Sequence, residues 1–133
     1  MKNKITNSQK ANLVERWKKY VVAGNQSLIN KDYRSASRHY ELARQCAESV
    51  FLKWSEPNES VSALVVTYHN IADLHQAQGN KGSILHYLEK IHKILLHALA
   101  TTPIEHERHV ALLAGSKRTY AALVNFKKFG TYE

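Results

Sequence analysis

Cysteine, proline and glycine are scarce in this chain, and long apolar runs are missing. The 133 residues include one cysteine, two prolines and five glycines. One thiol cannot form an intramolecular disulfide, which excludes disulfide-stapled domains, and the low glycine and proline content excludes collagen-like and low-complexity chains. Nothing after Met1 has the apolar stretch of a signal peptide or a membrane span, so we expect a cytoplasmic protein with no membrane partner.

Apolar side chains and positive charge are abundant instead. Apolar residues make up 44% of the chain, and the formal net charge is +8. A chain of this length predicts one domain that buries roughly two-thirds of its unfolded surface, enough for one continuous core. The charge is +7 over residues 1–54, −3 over residues 55–107 and +4 over residues 108–133. This distribution favours an acidic partner, a nucleic acid or an end-to-middle contact between copies.

Nucleic acid is the less favoured of these partners. Arg16, Lys18 and Lys19 adjoin Trp17, but helical geometry turns this tryptophan toward the apolar stripe of its helix. The interleaving of cations and exposed aromatic rings that stacks bases is therefore missing. A solvated basic helix face is the simpler interpretation.

Five amphipathic segments predict an all-α fold. Turn signals at residues 30–32, 55–58, 79–82 and 101–103 separate these segments, and apolar residues recur within them at steps of three and four. No run with a period of two indicates a strand. Short connections predict consecutive antiparallel helical hairpins. For the fifth helix, the sequence Thr102-Pro103-Ile104-Glu105 predicts a capping box with proline in the first turn.

The chain is self-similar at an offset of 48 residues. Tyr20 aligns with Tyr68, Gly24 with Ala72, and the matches continue through Ala36 with Ile84, Tyr40 with Leu88 and Ala43 with Ile91. The stretch from Tyr68 to Leu74, followed by Gln78-Gly79-Asn80 and by Tyr87 to Ile91, resembles the tetratricopeptide repeat over about residues 17–98. This family's repeat is about 34 residues long, so the longer offset predicts elongated middle helices.

The resemblance implies an α-α superhelix and a place where it binds. Its repeat-like units would cover about residues 10–54 and 59–100 of a single domain, and a capping helix would cover about residues 103–128. In this family, the first helix of each unit lines a concave groove that takes a peptide. The implied groove residues are Val22, Asn25 and Ile29 from one unit and His69, Asn70, Asp73 and Gln76 from the next. We therefore expect a non-catalytic adaptor or chaperone-like protein that binds a segment of another protein.

The last helix has two apolar sides, which leaves a homodimer as the alternative. Val110, Leu113, Tyr120 and Val124 share the side that we expect to pack on the fourth helix. The nearly opposite side carries Leu112, Leu123 and Phe126, and this side either packs on the third helix or forms a dimer seam.

Motifs for catalysis and metal binding are weak. His106 and His109 lie one turn apart beside two glutamates, but no second ligand motif accompanies them. No nucleophile elbow or phosphate-binding glycine loop occurs, and Cys46 falls near an apolar stripe, where it is typical of an inert core residue. We expect neither an enzyme nor a cofactor.

Overall fold

The computed structural model describes residues 7–53 and 56–131, and this part of the chain contains five α-helices and no strand. The helices are α1 (Asn7–Ile29), α2 (Tyr33–Lys53), α3 (Pro57–Ala77), α4 (Lys81–Ala100) and α5 (Glu107–Phe129). The predicted all-α fold is confirmed. Trp54, which we expected on the stripe of the second helix, and Ser55 lie outside the described residues. The middle helices α2 and α3 have 21 residues each, and α1 and α5 have 23, so the middle helices are not longer than the outer ones.

The five helices form two layers of an α-α superhelix. Each helix packs against the next along the chain; α3 also packs on α5 and, over a short stretch, on α1. No Cα atom of α2 comes within 8 Å of a Cα atom of α4. The odd-numbered helices therefore make one layer, and α2 and α4 stand apart in the other with α3 beneath the space between them.

The core runs through all the hairpins. Burying this apolar surface is the main driving force for the fold, at about 25 cal/mol per Å². The largest fully buried side chains are Tyr40, Tyr68, Leu64, Leu88, Ile91, Leu95 and Leu112.

Gly24 permits the close crossing of α1 and α2. A Cβ atom on Gly24 would lie 2.4 Å from Cε1 of Tyr40, and the Tyr40 ring has no room to move because it is only 1% exposed. The aligned residue Ala72 is fully buried in the second unit. The expectation that small residues mark helix crossings is confirmed at Gly24.

Left-handed glycines follow two of the helices. Gly79 follows α3 with a φ of 70°, and Gly130 follows α5 with a φ of 74°. The backbone N–H of Gly130 donates to the carbonyl of Phe126 at 2.8 Å. Both turns use the conformation that glycine adopts without steric cost, as the sequence predicts for Gly79.

The fifth helix begins at Glu107, so the capping box predicted at residues 102–105 is wrong. The Thr102 hydroxyl points back and donates to the carbonyl of Ala98 at 2.6 Å, which closes the end of α4. His106 caps α5 instead, because its Nδ1 accepts the backbone N–H of Arg108 at 3.0 Å. Thr102 lies five residues before the first residue of α5, too far to serve as its N-cap.

The side of α5 that we expected to pack on α4 is exposed, and the opposite side packs within the molecule. Leu112 is fully buried, Phe126 is 9% exposed, and Leu123 packs with Phe126 against Ile84 and Leu88. These side chains belong to the core of one molecule, so packing within the molecule is the one of the two outcomes left open for this side that is observed. The alternative, a dimer seam through Leu112, Leu123 and Phe126, does not hold. The exposed side of α5 carries Val110, Leu113, Tyr120 and Val124, which are between 38% and 69% exposed.

Gly115 explains which side of α5 is buried. A Cβ atom on Gly115 would lie 2.6 Å from Cγ1 of Val61 and 3.2 Å from Cδ1 of Leu95. The small side of the helix, with Gly115 and Ser116, thus fits against α3 and α4, while the bulkier side stays outside. A helical wheel that counts only large apolar residues does not include Gly115, although this glycine indicates the buried side of α5.

Candidate functional site

The predicted groove residues of α1 divide into exposed and engaged side chains. Val22 is 67% exposed and Ile29 is 73% exposed. Asn25 takes part in hairpin packing, because its Oδ1 accepts the hydroxyl of Tyr40 at 2.6 Å. A shallow depression on α1 is lined by Lys18, Lys19, Val22, Ala23 and Gln26. Of these lining residues, Val22 alone belongs to the predicted groove.

Three of the predicted groove residues of α3 are partly buried: His69, Asn70 and Asp73. Burial, with a smaller contribution from the nearby Arg118 of α5, lowers the pKa of His69 to about 4. Asn70 is partly buried, and its Nδ2 has no hydrogen-bond partner among the described residues. Asp73 lies close enough to Tyr40 to add to the effect of burial, which raises the pKa of that phenol to about 12. Gln76 is exposed.

A larger concave surface lies on the opposite layer, between α2 and α4. This surface, which we call the α2/α4 cleft, has a volume of about 840 Å³, inside the range of about 300–1,000 Å³ that is common for binding sites. The α4–α5 connection lines one end. The lining residues are Glu48, Phe51, Leu52, Leu64, Lys93, Ile94, His97, Ala98, Thr101, Thr102, Pro103, His106 and Arg108.

The cleft exists because α3 separates α2 from α4. Its floor is Leu64 of α3, which is 1% exposed, and Phe51 of α2, which is 7% exposed. Leu52 stands at its side with 78% of its surface exposed, and Ile94 and Ala98 are half-buried. An apolar floor with an exposed leucine beside it offers surface that an apolar side chain of a ligand would cover.

Arg108 joins α5 to the end of α2 inside the cleft. Its Cζ lies 4.4 Å from the centroid of the Phe51 ring, and its Nη2 donates to the Phe51 carbonyl at 2.8 Å. Burial lowers the pKa of this guanidinium. The stacking and the hydrogen bond fix the arginine in place at the cleft wall.

Glu48 is the one acidic residue among the described lining residues, and it is already paired. Its Oε2 accepts Nη1 of Arg44 at 2.6 Å and the hydroxyl of Tyr68 at 3.0 Å. Arg44 also binds Glu41. Burial, followed by the charge of Glu48, raises the pKa of Tyr68 to about 12. Glu41 and Glu48 therefore share Arg44, and Oε2 of Glu48 is already occupied by two donors of the protein.

The other residues considered for chemistry have structural roles. Cys46 is 8% exposed, and burial raises the pKa of its thiol, which disfavours the reactive thiolate. His75 stacks on Tyr87, with ring centroids 5.4 Å apart. His109 lies 3.3 Å from the carbonyl of Thr102 through Nδ1. In residues 7–53 and 56–131, no three His, Cys, Asp or Glu residues form a group that could hold a metal ion.

Over the described part of the chain, no helix combines the length and the apolar character needed to cross a bilayer.

Comparison with known proteins identifies a family whose description names no activity. A family model described as "Protein of unknown function (DUF2753)" matches residues 15–131. A search of curated proteins gave no match. A search of solved structures gave no match either.

Proposed function

The chain belongs to the DUF2753 family, and because that description carries no activity, we propose from the geometry that the protein is a non-catalytic, tetratricopeptide-like module that binds a segment of another protein in the α2/α4 cleft. The observation that carries this proposal is the cleft itself, about 840 Å³ in volume with Phe51, Leu52 and Leu64 among its lining residues. A segment of protein with an apolar side chain fits such a site better than a small polar metabolite does.

The proposal moves the binding site from one layer of helices to the other. On the α1/α3 side, Asn25 is bonded to Tyr40 and His69 is largely buried, so these side chains support packing more than recognition. On the α2/α4 side, Leu52 is exposed beside a buried apolar floor. Covering Leu52 would remove apolar surface from water at about 25 cal/mol per Å².

Self-association through α5 is the weaker alternative. The seam that motivated it lies in the core, and nothing in the structure shows what covers Val110, Leu113, Tyr120 and Val124 on the outer side. Nucleic-acid binding rests on net charge alone, and the tryptophan beside its basic cluster points inward, with Nε1 of Trp17 donating to Oγ1 of Thr67 at 2.7 Å.

The experiment is a selection of short random peptides on the immobilised protein, followed by fluorescence anisotropy with matched variants. Leu52→Ser removes an exposed apolar side chain from the cleft, and Ile29→Ser removes one of nearly equal exposure, 73% against 78%, from the predicted groove of α1. Both substitutions keep the net charge, and circular dichroism checks the fold of each variant.

We expect Leu52→Ser to weaken the selected peptides about tenfold, which is about 1.4 kcal/mol, and Ile29→Ser to leave their affinity unchanged. Peptides weakened by Ile29→Ser and not by Leu52→Ser would return the site to the α1/α3 side. Failure to select any peptide that depends on Leu52 would contradict the proposal.

A further inference from the structure

The charges that line the α2/α4 cleft are unbalanced toward positive. Lys93 and Arg108 line it. The described lining residues contain one acid, Glu48, whose Oε2 accepts Nη1 of Arg44 at 2.6 Å and the hydroxyl of Tyr68 at 3.0 Å. The lining therefore carries two cations against one carboxylate, and that carboxylate is already hydrogen-bonded within the protein.

Arg108 is the cation best placed to act on a ligand. It is half-buried at the cleft wall, and among residues 7–53 and 56–131 no carboxylate lies within ion-pair distance of it. The guanidinium makes one hydrogen bond to a described residue, from Nη2 to the Phe51 carbonyl. A guanidinium has five N–H donors in a fixed fork, so donors remain for an acceptor that enters the cleft.

The stacking on Phe51 prepares this arginine for a carboxylate. Holding the guanidinium over an aromatic ring, with Cζ 4.4 Å from the ring centroid, reduces the side-chain entropy that pairing would otherwise cost. A half-buried arginine also gains more from an ion pair than an exposed one, because solvent screens it less. The Phe51 ring contributes apolar surface beside the charge.

Resting on the proposed function, we propose that the bound segment is acidic: an Asp or Glu side chain pairs with Arg108 while a neighbouring apolar side chain packs among Leu52, Phe51 and Ile94. Lys93 at the rim adds attraction for further acids. Charge complementarity carries this choice of partner, since a basic segment would meet Lys93 and Arg108, while Glu48, the one acid of the described lining, is already bonded to Arg44 and Tyr68.

The test is a double-mutant cycle between the protein and the selected peptides. Each peptide is synthesised as selected and with its acids replaced by the matching amides, Asp by Asn and Glu by Gln. Both forms are titrated by anisotropy against wild type, Arg108→Gln and Lys93→Gln. Lys117→Gln, an exposed substitution on α5 outside the cleft lining, controls for the loss of one charge.

We expect acid-to-amide replacement to weaken binding to wild type about tenfold, and this difference to shrink to about twofold in Arg108→Gln, while Lys117→Gln retains it in full. If Arg108→Gln fails to fold, Lys93→Gln and the salt dependence of wild-type binding still decide, because rim charges steer acidic ligands and salt screens them.

Two results would overturn the inference. Peptides that depend on Leu52 but bind equally well as acids and as amides would refute an acidic partner and leave the proposed function standing. Peptides that depend on their acids but are unaffected by Arg108→Gln and Lys93→Gln would place the charge recognition elsewhere. Loss of the Leu52 dependence itself is a different result, and it would contradict the proposed function.

Discussion

The indole of Trp17 donates a hydrogen bond to Oγ1 of Thr67 at 2.7 Å, and this bond joins α1 to α3. Thr67 is fully buried, and its hydroxyl donates in turn to the carbonyl of Ala63 at 2.7 Å. The two helices have little other contact. The pair therefore holds the first helix of one hairpin against the first helix of the next.

The first prediction concerns a variant that lacks the Thr67 hydroxyl, which accepts this hydrogen bond. Thr67→Val keeps the shape of the side chain but leaves the Trp17 N–H without its partner, so we expect the free energy of unfolding to fall by about 1–2 kcal/mol. Thr67→Ser retains the hydroxyl and controls for the change of side chain. Urea denaturation of the two variants and wild type provides the comparison, and equal midpoints for Thr67→Val and wild type would show that the bond contributes nothing to stability.

The second prediction uses two adjacent leucines of α5. Leu112 is fully buried and Leu113 is 40% exposed, so Leu112→Ala should cost about 3 kcal/mol and Leu113→Ala less than about 1 kcal/mol. Both variants replace leucine by alanine at adjacent positions of the same helix, so the change in helix propensity contributes equally to their free energies of unfolding. Denaturation midpoints that rank the variants in the opposite order would mean that the other side of α5 faces the core.

The third prediction concerns two glycines. Gly24→Ala would place a Cβ atom 2.4 Å from the buried ring of Tyr40, and we expect a loss of about 1–3 kcal/mol from overpacking. Gly82 in α4 has no atom within 4 Å of the corresponding position. Gly82→Ala should therefore leave the protein as stable as wild type or up to about 1 kcal/mol more stable. Thermal unfolding of both variants tests this, and an unchanged Tm for Gly24→Ala would contradict the close crossing of α1 and α2.

The fourth prediction is a loss of stability in weak acid. Burial lowers the pKa of His69 to about 4 and lowers those of His75 and His92 as well. The unfolded chain then binds more protons than the folded chain below about pH 6.5, so stability is full above that pH and falls toward about pH 4.

His69 alone can account for a change on the order of 3 kcal/mol across this range. Urea midpoints measured at neutral pH and at about pH 5 should differ in wild type. We expect His69→Gln to flatten part of this dependence. A variant with the full wild-type pH dependence would show that His69 is not the main group that titrates.

Much of the fold could be predicted from local patterns, because helix periodicity and turn formation depend on residues that are close together in the sequence. The steps of three and four marked the helices, Gly79 marked a helix end, and Gly24 marked a crossing. Thr102 was misread because a threonine between two helices can serve either of them, and only its position relative to Ala98 decides which.

The side of α5 that packs on α4 was predicted wrongly for a related reason. Both carry large apolar residues, so counting such residues cannot rank them. Gly115 could have done so by the argument that holds for Gly24, since a glycine inside a helix indicates the side on which a neighbour approaches closely. The α2/α4 cleft could not be predicted in this way, because it arises from the separation of two helices that do not touch.

The most direct test of the cleft as the binding site is to map backbone amide chemical shifts of the ¹⁵N-labelled protein during titration with a selected acidic peptide. The account predicts that the largest changes fall at Phe51, Leu52, Ile94 and Arg108. Changes confined to Val22, Asn25, Asn70 and Asp73 would contradict it and place the peptide on the α1/α3 side.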